Sequence, residues 1–195
     1  MTGRIQPKMP EANPVEQADA VVADLFLPQA RRGIVRALGS VSDLSDQEPL
    51  YAAAGAIIAT GFVMRDERTV RAGTHMLAAH LLATAIRGMV KHAVDRTRPK
   101  VAAEKGYEFR SDGDRYSQEF NSFPSGHTAG AVAVARAIGR YYPSARLPAL
   151  GIAGAASLAQ VARSRHYLSD IAAGAAVAIV GEAVIALVVR RAGKL

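Results

Sequence analysis

Five apolar blocks lie along the chain after residue 50, at residues 51–64, 76–90, 128–138, 147–162 and 171–189, and charged residues bound each of them. None alternates with the period of two expected of a half-buried strand, none is dense in β-branched or aromatic residues, and Ala, the best intrinsic helix former, recurs throughout. The pattern predicts an all-α bundle of about five to six helices. Only the block 171–189 approaches the roughly 20 apolar residues needed to cross a hydrocarbon core of about 30 Å. The other four reach that length only by extending into their polar flanks. Within the last block Gly174, Ala178 and Gly181 recur at helical spacing with Glu182 beside them. In a bilayer such spacing lets helix backbones approach closely, and in water it describes an Ala-rich core helix. We read the bundle as transmembrane.

The N-terminal quarter differs. Residues 1–14 contain Pro7, Pro10 and Pro14 among mixed polar residues and read as a flexible tail without the features of a signal peptide. Residues 15–38 are amphipathic: Val21, Val22, Leu25, Leu27, Ile34, Val35 and Leu38 are interrupted by Pro28, Arg31, Arg32 and Arg36. This segment is expected to lie on a membrane surface or pack on the bundle rather than span. The expected organisation is a single domain over residues 15–195, with 15–49 amphipathic and 50–195 the core. Residues 100–121 read as a polar loop between two helical blocks.

Composition narrows the function classes. The chain has 195 residues, half of them hydrophobic, and no Cys, which excludes a disulfide scaffold, a thiolate metal site and a cysteine nucleophile. A mean hydropathy of +0.08 is too low for a chain made only of lipid-facing helices. The net charge is +7, which invites a phosphate-bearing partner. That charge is unevenly spread: residues 1–49 hold five Lys/Arg against seven Asp/Glu, and the remainder nineteen against ten. The positive charge therefore accompanies the most apolar stretches.

Three polar clusters sit at the ends of the apolar blocks. The first is Lys91-His92-Ala93-Val94-Asp95-Arg96-Thr97-Arg98-Pro99. Lys91 and Arg98 are close to two helical turns apart, so both can point to one side, and Pro99 disfavours helix at Arg98. Taken alone this also reads as a basic membrane-interface flank. The second is Ser122-Phe123-Pro124-Ser125-Gly126-His127-Thr128. Pro, then a capping Ser, then Gly describes a helix N-terminus whose free N–H groups favour an anion, and His127 adds a proton donor. Alternatively it is an ordinary helix start with an incidental His. The third is Arg163-Ser164-Arg165-His166-Tyr167-Leu168-Ser169-Asp170. If that stretch is helical, His166 and Asp170 share a face, and the carboxylate can hold one imidazole nitrogen while the other acts as base or nucleophile. Such a pair is also common surface structure. If the blocks alternate in direction, all three clusters emerge on one side, and together they make a metal-free phosphate site.

Lys91-x6-Arg98-Pro99, Pro124-Ser125-Gly126-His127 and His166-x3-Asp170 resemble the three signature motifs of the type 2 phosphatidic acid phosphatases, a superfamily that also holds bacterial acid phosphatases and vanadium haloperoxidases. The resemblance covers about residues 51–189. It implies that Lys91, Arg98, Ser125 and the Gly126 amide bind the phosphoryl oxygens, and that His166 attacks phosphorus to form a phosphohistidine. It further implies that Asp170 orients His166 and that His127 protonates the leaving oxygen, with no metal and no cofactor. One departure stands out. The family's third motif usually has Ser-Arg, with the Arg six residues before the nucleophilic His, where this chain has Ala159 and Gln160. Arg163 or Arg165 is the expected source of the missing guanidinium.

The implied activity is hydrolysis of a lipid phosphate or pyrophosphate, such as phosphatidic acid, phosphatidylglycerophosphate or a polyprenyl diphosphate. The expected partners are that lipid and the membrane, not nucleic acid. Arg65, Arg68, Arg71, Arg140, Arg146, Arg190, Arg191 and Lys194 lie at the other ends of the blocks, which predicts a multi-pass inner-membrane protein with its site facing the periplasm or exterior. His75, His80, Arg87, Arg136 and Glu182 fall in or beside the blocks and are expected to pair structurally, Arg87 and Arg136 by snorkelling or pairing. The alternatives are a vanadate-dependent haloperoxidase, which such a short chain argues against, and a non-enzymatic basic membrane protein.

Overall fold

The structure, a computed structural model, describes residues 13–28, 30, 33, 35, 42–110 and 119–193. The expected tail up to residue 12 lies outside the described residues, as do Arg31, Arg32, Ile34, Arg36, Leu38 and Lys194. Seven helices are described: α1 (Pro14–Phe26), α2 (Gln47–Met64), α3 (Glu67–Ala93), α4 (Pro99–Lys105), α5 (Gly126–Tyr141), α6 (Arg146–Ala162) and α7 (Leu168–Arg191). Every predicted apolar block lies within one of the long helices. The all-α expectation holds apart from one small pairing: β1 (Asp95–Arg96) runs antiparallel to β2 (Phe109–Arg110). The stretch 100–121, expected to be loop, opens instead with α4, which starts on Pro99 at its first turn, where the missing N–H costs nothing.

Local signals in the sequence account for several helix starts. Asn13 caps α1 by accepting from the Val15 and Glu16 amides, Glu16 returns the bond to the Asn13 amide, and Pro14 sits at the first helical position. Asp66 caps α3 and Ser125 caps α5. Arg65 stands in the left-handed region (φ 54°) and reverses the chain between α2 and α3.

Helix α5 is the centre of the bundle. It packs on α3, α6 and α7, and α3 in turn packs on α2 and α7. Its small residues are buried all round: Ala129, Gly130, Ala131, Ala133, Ala135, Ala137 and Gly139 let neighbouring backbones close in. A core of Ala54, Met76, Ala79, Ala83, Ala133, Val134, Ala137 and Ala178 joins α2, α3, α5 and α7. Helix α1 packs on α6 and α7, burying Asp19, Ala20 and Ala23 and leaving Val15, Val21 and Leu25 exposed. Large apolar side chains also face outward on the long helices, among them Phe62, Val63, Met64, Leu81, Met89, Leu147, Ile152, Leu158, Val180, Leu187 and Val188. Among the described residues one helix, Leu168–Arg191, is by itself long and apolar enough to cross a membrane, and only 28% of its most apolar window is buried.

Candidate active site

The three polar clusters meet at one end of the bundle, held by backbone bonds between segments far apart in sequence. The Arg96 amide donates to the Phe120 carbonyl (2.9 Å), Ser122 to Arg96 (3.1 Å) and Arg98 to Glu119 (3.0 Å), fastening the first cluster to the approach to the second. The Ser125 amide donates to the Asp170 carbonyl (3.0 Å) and Lys100 to Ser164 (3.2 Å), bringing in the third. Gly174 makes the closest approach. A Cβ there would stand 2.5 Å from the Ser125 carbonyl, so only Gly lets α7 lie against the turn that starts α5.

His166 is buried (2% exposed) and precedes α7, which begins at Leu168. Its Nδ1 lies 2.8 Å from the Ser122 carbonyl and 3.7 Å from Asp170 Oδ2. Asp170 thus stays within ion-pair distance of the ring, but the ring stands before the helix, and the Ser122 carbonyl accepts the closer Nδ1 hydrogen bond. A carbonyl only accepts, so Nδ1 carries the hydrogen and Nε2 keeps its lone pair. Nε2 has no hydrogen-bond partner among the described residues. Burial pushes the His166 imidazole below its ordinary pKa, with Asp170 opposing, which favours the neutral form.

Asp170 also works on its surroundings. Fully buried, it accepts from Ser122 Oγ (2.5 Å), the Tyr167 amide (2.8 Å) and Arg96 Nη1 (2.7 Å). It therefore holds the segment whose Ser122 carbonyl positions His166. Arg96, 2% exposed, bridges Asp170 to Asp19 of α1 (2.8 Å) and lies over the Tyr167 ring. Burial opposes the Arg96 charge, and Asp170 and Asp19 more than offset it, holding the guanidinium above its ordinary value. Sequence reasoning missed Asp19 and Arg96 in this role, and no local signal joins residues so far apart.

Lys91, in the last turn of α3, and Arg98, just before α4, face each other with Arg87 one turn earlier in α3. None of these three cations donates a hydrogen bond to a described residue, and the Arg87 and Arg98 Nε atoms are buried without an acceptor. Burial, with Arg165 and Arg87 nearby, pulls Arg98 below its ordinary guanidinium value although Asp170 opposes. Beside the cations lies the start of α5, with Ser125 buried as its cap and Gly126 next. The His127 and His166 rings stand 6.1 Å apart, edge to face.

The turn Asp43–Ser45 and Asp46 bring two acids that the sequence reading did not assign. His127 Nε2 lies 2.6 Å from Asp46 Oδ1. Burial and Asp43 push the Asp46 carboxyl up, against Arg165 and Arg163. Asp43 accepts from Arg163 (2.6 Å) and Arg165 (3.2 Å), and the Arg163 bond holds its carboxyl below the usual range. Arg163 and Arg165 are thus engaged on Asp43. Arg165 remains near Arg98 and His127. Gln160 is fully buried and donates to Ser42 Oγ (2.6 Å). Asp43, Asp46 and His127 offer ligand atoms within 4.8 Å of one another, the one such grouping among the described residues, and Asp43 is already paired with Arg163 and Arg165.

The other ionisable residues of the blocks gather elsewhere. Fully buried Glu182 accepts from Arg136 (3.0 Å) and Arg140 and lies 3.3 Å from His75 Nε2. Arg136 pairs as expected. Arg87 has no such partner among the described residues and lies one turn from Lys91.

Comparison with known proteins gives this geometry a family. No curated protein matches the sequence. The structure is similar to LpxE from Aquifex aeolicus (TM-score 0.64, 16% identity, covering 91% of this chain and 97% of that one). It is also similar to a transmembrane PAP2 type phosphatidylglycerolphosphate phosphatase from Bacillus subtilis (TM-score 0.61, 15% identity, covering 93% of this chain and 89% of that one). The family model of the PAP2 superfamily matches residues 72–194, a span that holds all three motifs, and the chain belongs to that superfamily.

Proposed function

We propose that the protein is a multi-pass membrane phosphatase that hydrolyses a lipid phosphate monoester or pyrophosphate through a phosphohistidine. The observation that carries this reading is the free Nε2 of His166 near Arg98, which together with its neighbours Arg87 and Lys91 donates to no described protein acceptor. Lys91, Arg98, Ser125 and the Gly126 amide bind the phosphoryl oxygens, where they stabilise charge that spreads over those oxygens in the transition state. His166 Nε2 attacks phosphorus, the bond from phosphorus to the lipid oxygen breaks, and His127 gives that oxygen a proton. Water then attacks the phosphohistidine, His127 takes a proton from it, the P–N bond breaks and inorganic phosphate leaves. Asp170 and Arg96 keep Ser122 and His166 in register.

A lipid substrate is supported by the apolar side chains exposed around α2, α3, α6 and α7, which suit a bilayer. Arg65, Arg68, Arg71, Arg146, Arg190 and Arg191 cluster at the bundle end away from the site, which fits a cytoplasmic face there and a site open to the periplasm or exterior of the cell (inner) membrane. The test is phosphate release by detergent-purified protein over phosphatidic acid, phosphatidylglycerophosphate and a polyprenyl diphosphate, with EDTA present. Release by the wild type and its loss in His166→Ala, by at least about 10⁴-fold, is the expected result. Release by His166→Ala at the wild-type rate overturns the mechanism, and loss of wild-type activity in EDTA overturns its metal independence.

A further inference from the structure

We infer that Arg87 is a third phosphoryl-binding cation of this site, sharing the phosphate with Lys91 and Arg98, and that Gly126 lacks a side chain so that the guanidinium can reach the anion. The inference rests on the phosphatase reading above.

Four observations converge. A Cβ built on Gly126 would stand 2.6 Å from Arg87 Cζ and 2.8 Å from both Nε and Nη1, so the guanidinium lies against the backbone that opens α5. That backbone is the positive end of a helix dipole, an unfavourable neighbour for a cation unless an anion comes between them. Like charges face Arg87 as well: Lys91 lies one turn on in α3 and feels both Arg87 and Arg98. Finally, no hydrogen bond joins Arg87 to a described residue, and its Nε is buried without an acceptor.

A guanidinium kept for structure finds an acceptor, as Arg96 does on Asp19 and Asp170 and Arg163 does on Asp43. The acid that acts on Arg87 is Asp46, which makes no hydrogen bond to it and lies against His127. A dianionic phosphoryl group beside Gly126 supplies what is missing. Its oxygens accept from the planar fork of Arg87, from Lys91 and Arg98, and from the free amides of α5. The guanidinium sought near Gln160 thus enters from α3. Gln160 itself is neutral and turned to Ser42, and Arg163 and Arg165 are held by Asp43.

The test compares wild type, Arg87→Gln and Arg87→Lys as full-length protein in detergent, with inorganic phosphate as the probe. Arg87→Gln is expected to lower kcat/KM about a hundredfold and to raise the inhibition constant of inorganic phosphate about tenfold, with Arg87→Lys in between. The ligand-free Tm of Arg87→Gln stays level or rises, because a like-charge contact is removed, and the increase in Tm that phosphate gives the wild type is lost. Wild-type inhibition by phosphate in Arg87→Gln overturns the proposal. So does a lowered ligand-free Tm with phosphate affinity intact, which marks a structural arginine. The phosphate-induced Tm shift needs no turnover and is also measured in His166→Ala. If hydrolysis itself fails its test, that shift still decides whether Arg87 binds the anion.

Discussion

Two levels along α7, Asp170 in its first turn and Glu182 past its midpoint, hold the same kinds of residue in opposite states. Twelve residues separate Asp170 from Glu182, which at 1.5 Å per residue is about 18 Å along the helix. At the Glu182 end, Arg136, Arg140 and His75 all converge on one buried carboxylate. At the Asp170 end Asp170 is taken by Arg96 and Ser122 and Asp43 by Arg163 and Arg165, while Asp46 lies against His127. Arg87, Lys91 and Arg98 are left with no described acceptor. Removing one partner of a buried acid–base pair leaves an uncompensated charge and weakens the fold, whereas bases gathered without an acid lower stability until an anion arrives. The difference separates a structural cluster from a binding site more surely than residue type does, since either end looks like buried charge in the sequence.

The comparison predicts that mutations at the two ends separate activity from stability. Among substitutions of these paired and unpaired charges, Lys91→Ala or Arg98→Ala is expected to have the largest effect, a loss of about 10²–10³-fold in kcat/KM with Tm unchanged or raised. Parallel kinetic and thermal measurements check it, and a clear drop in Tm would mean that these cations support the fold after all. Glu182→Gln should do the reverse. It leaves the Arg136 and Arg140 charges facing a neutral amide, and because both guanidiniums are partly exposed the cost is put at about 2 kcal/mol, below that of breaking a fully buried pair. Denaturant unfolding reads that loss, and kcat/KM should stay within about threefold of wild type because transition-state contacts are untouched.

The smallest effect is a displacement of the pH profile. In the proposed mechanism the attacking imidazole must be neutral, and burial lowers the His166 pKa, so that form persists to more acidic pH than for an ordinary imidazole. The acid limb of log kcat/KM is therefore expected below the usual histidine range and should disappear with the residual activity of His166→Ala. An acid limb at or above that range would show that the surroundings of His166 stabilise its cation instead.

Much of this was legible in the residues. The blocks near 51–64, 147–162 and 171–189 became α2, α6 and α7, because an apolar stretch bounded by charge leaves a helix few other places to stop. Ser125 and Gly126 announced the start of α5 through their own local chemistry. What the residues did not disclose are relationships across the chain. Asp19 meets Arg96 over 77 positions, and Asp43 meets Arg163 over 120. His166 and Asp170 showed a helical spacing, yet α7 begins between them, so Nδ1 turned to Ser122. Arg87 and Arg136 looked alike, one charge each inside an apolar block, and only packing gave Arg136 a carboxylate and Arg87 the bare backbone of Gly126.

By itself the sequence determined the helical class, the three motifs and the chemistry their side chains can perform, because periodicity, capping and functional groups are local properties. Tertiary structure alone decided which charges are neutralised and which remain for a ligand, which nitrogen of His166 is free, and where α1 and the Asp43–Ser45 turn enter the site. Those outcomes depend on distances between helices. A charge reports its type in the sequence, but its function follows from whether the fold sets a countercharge beside it.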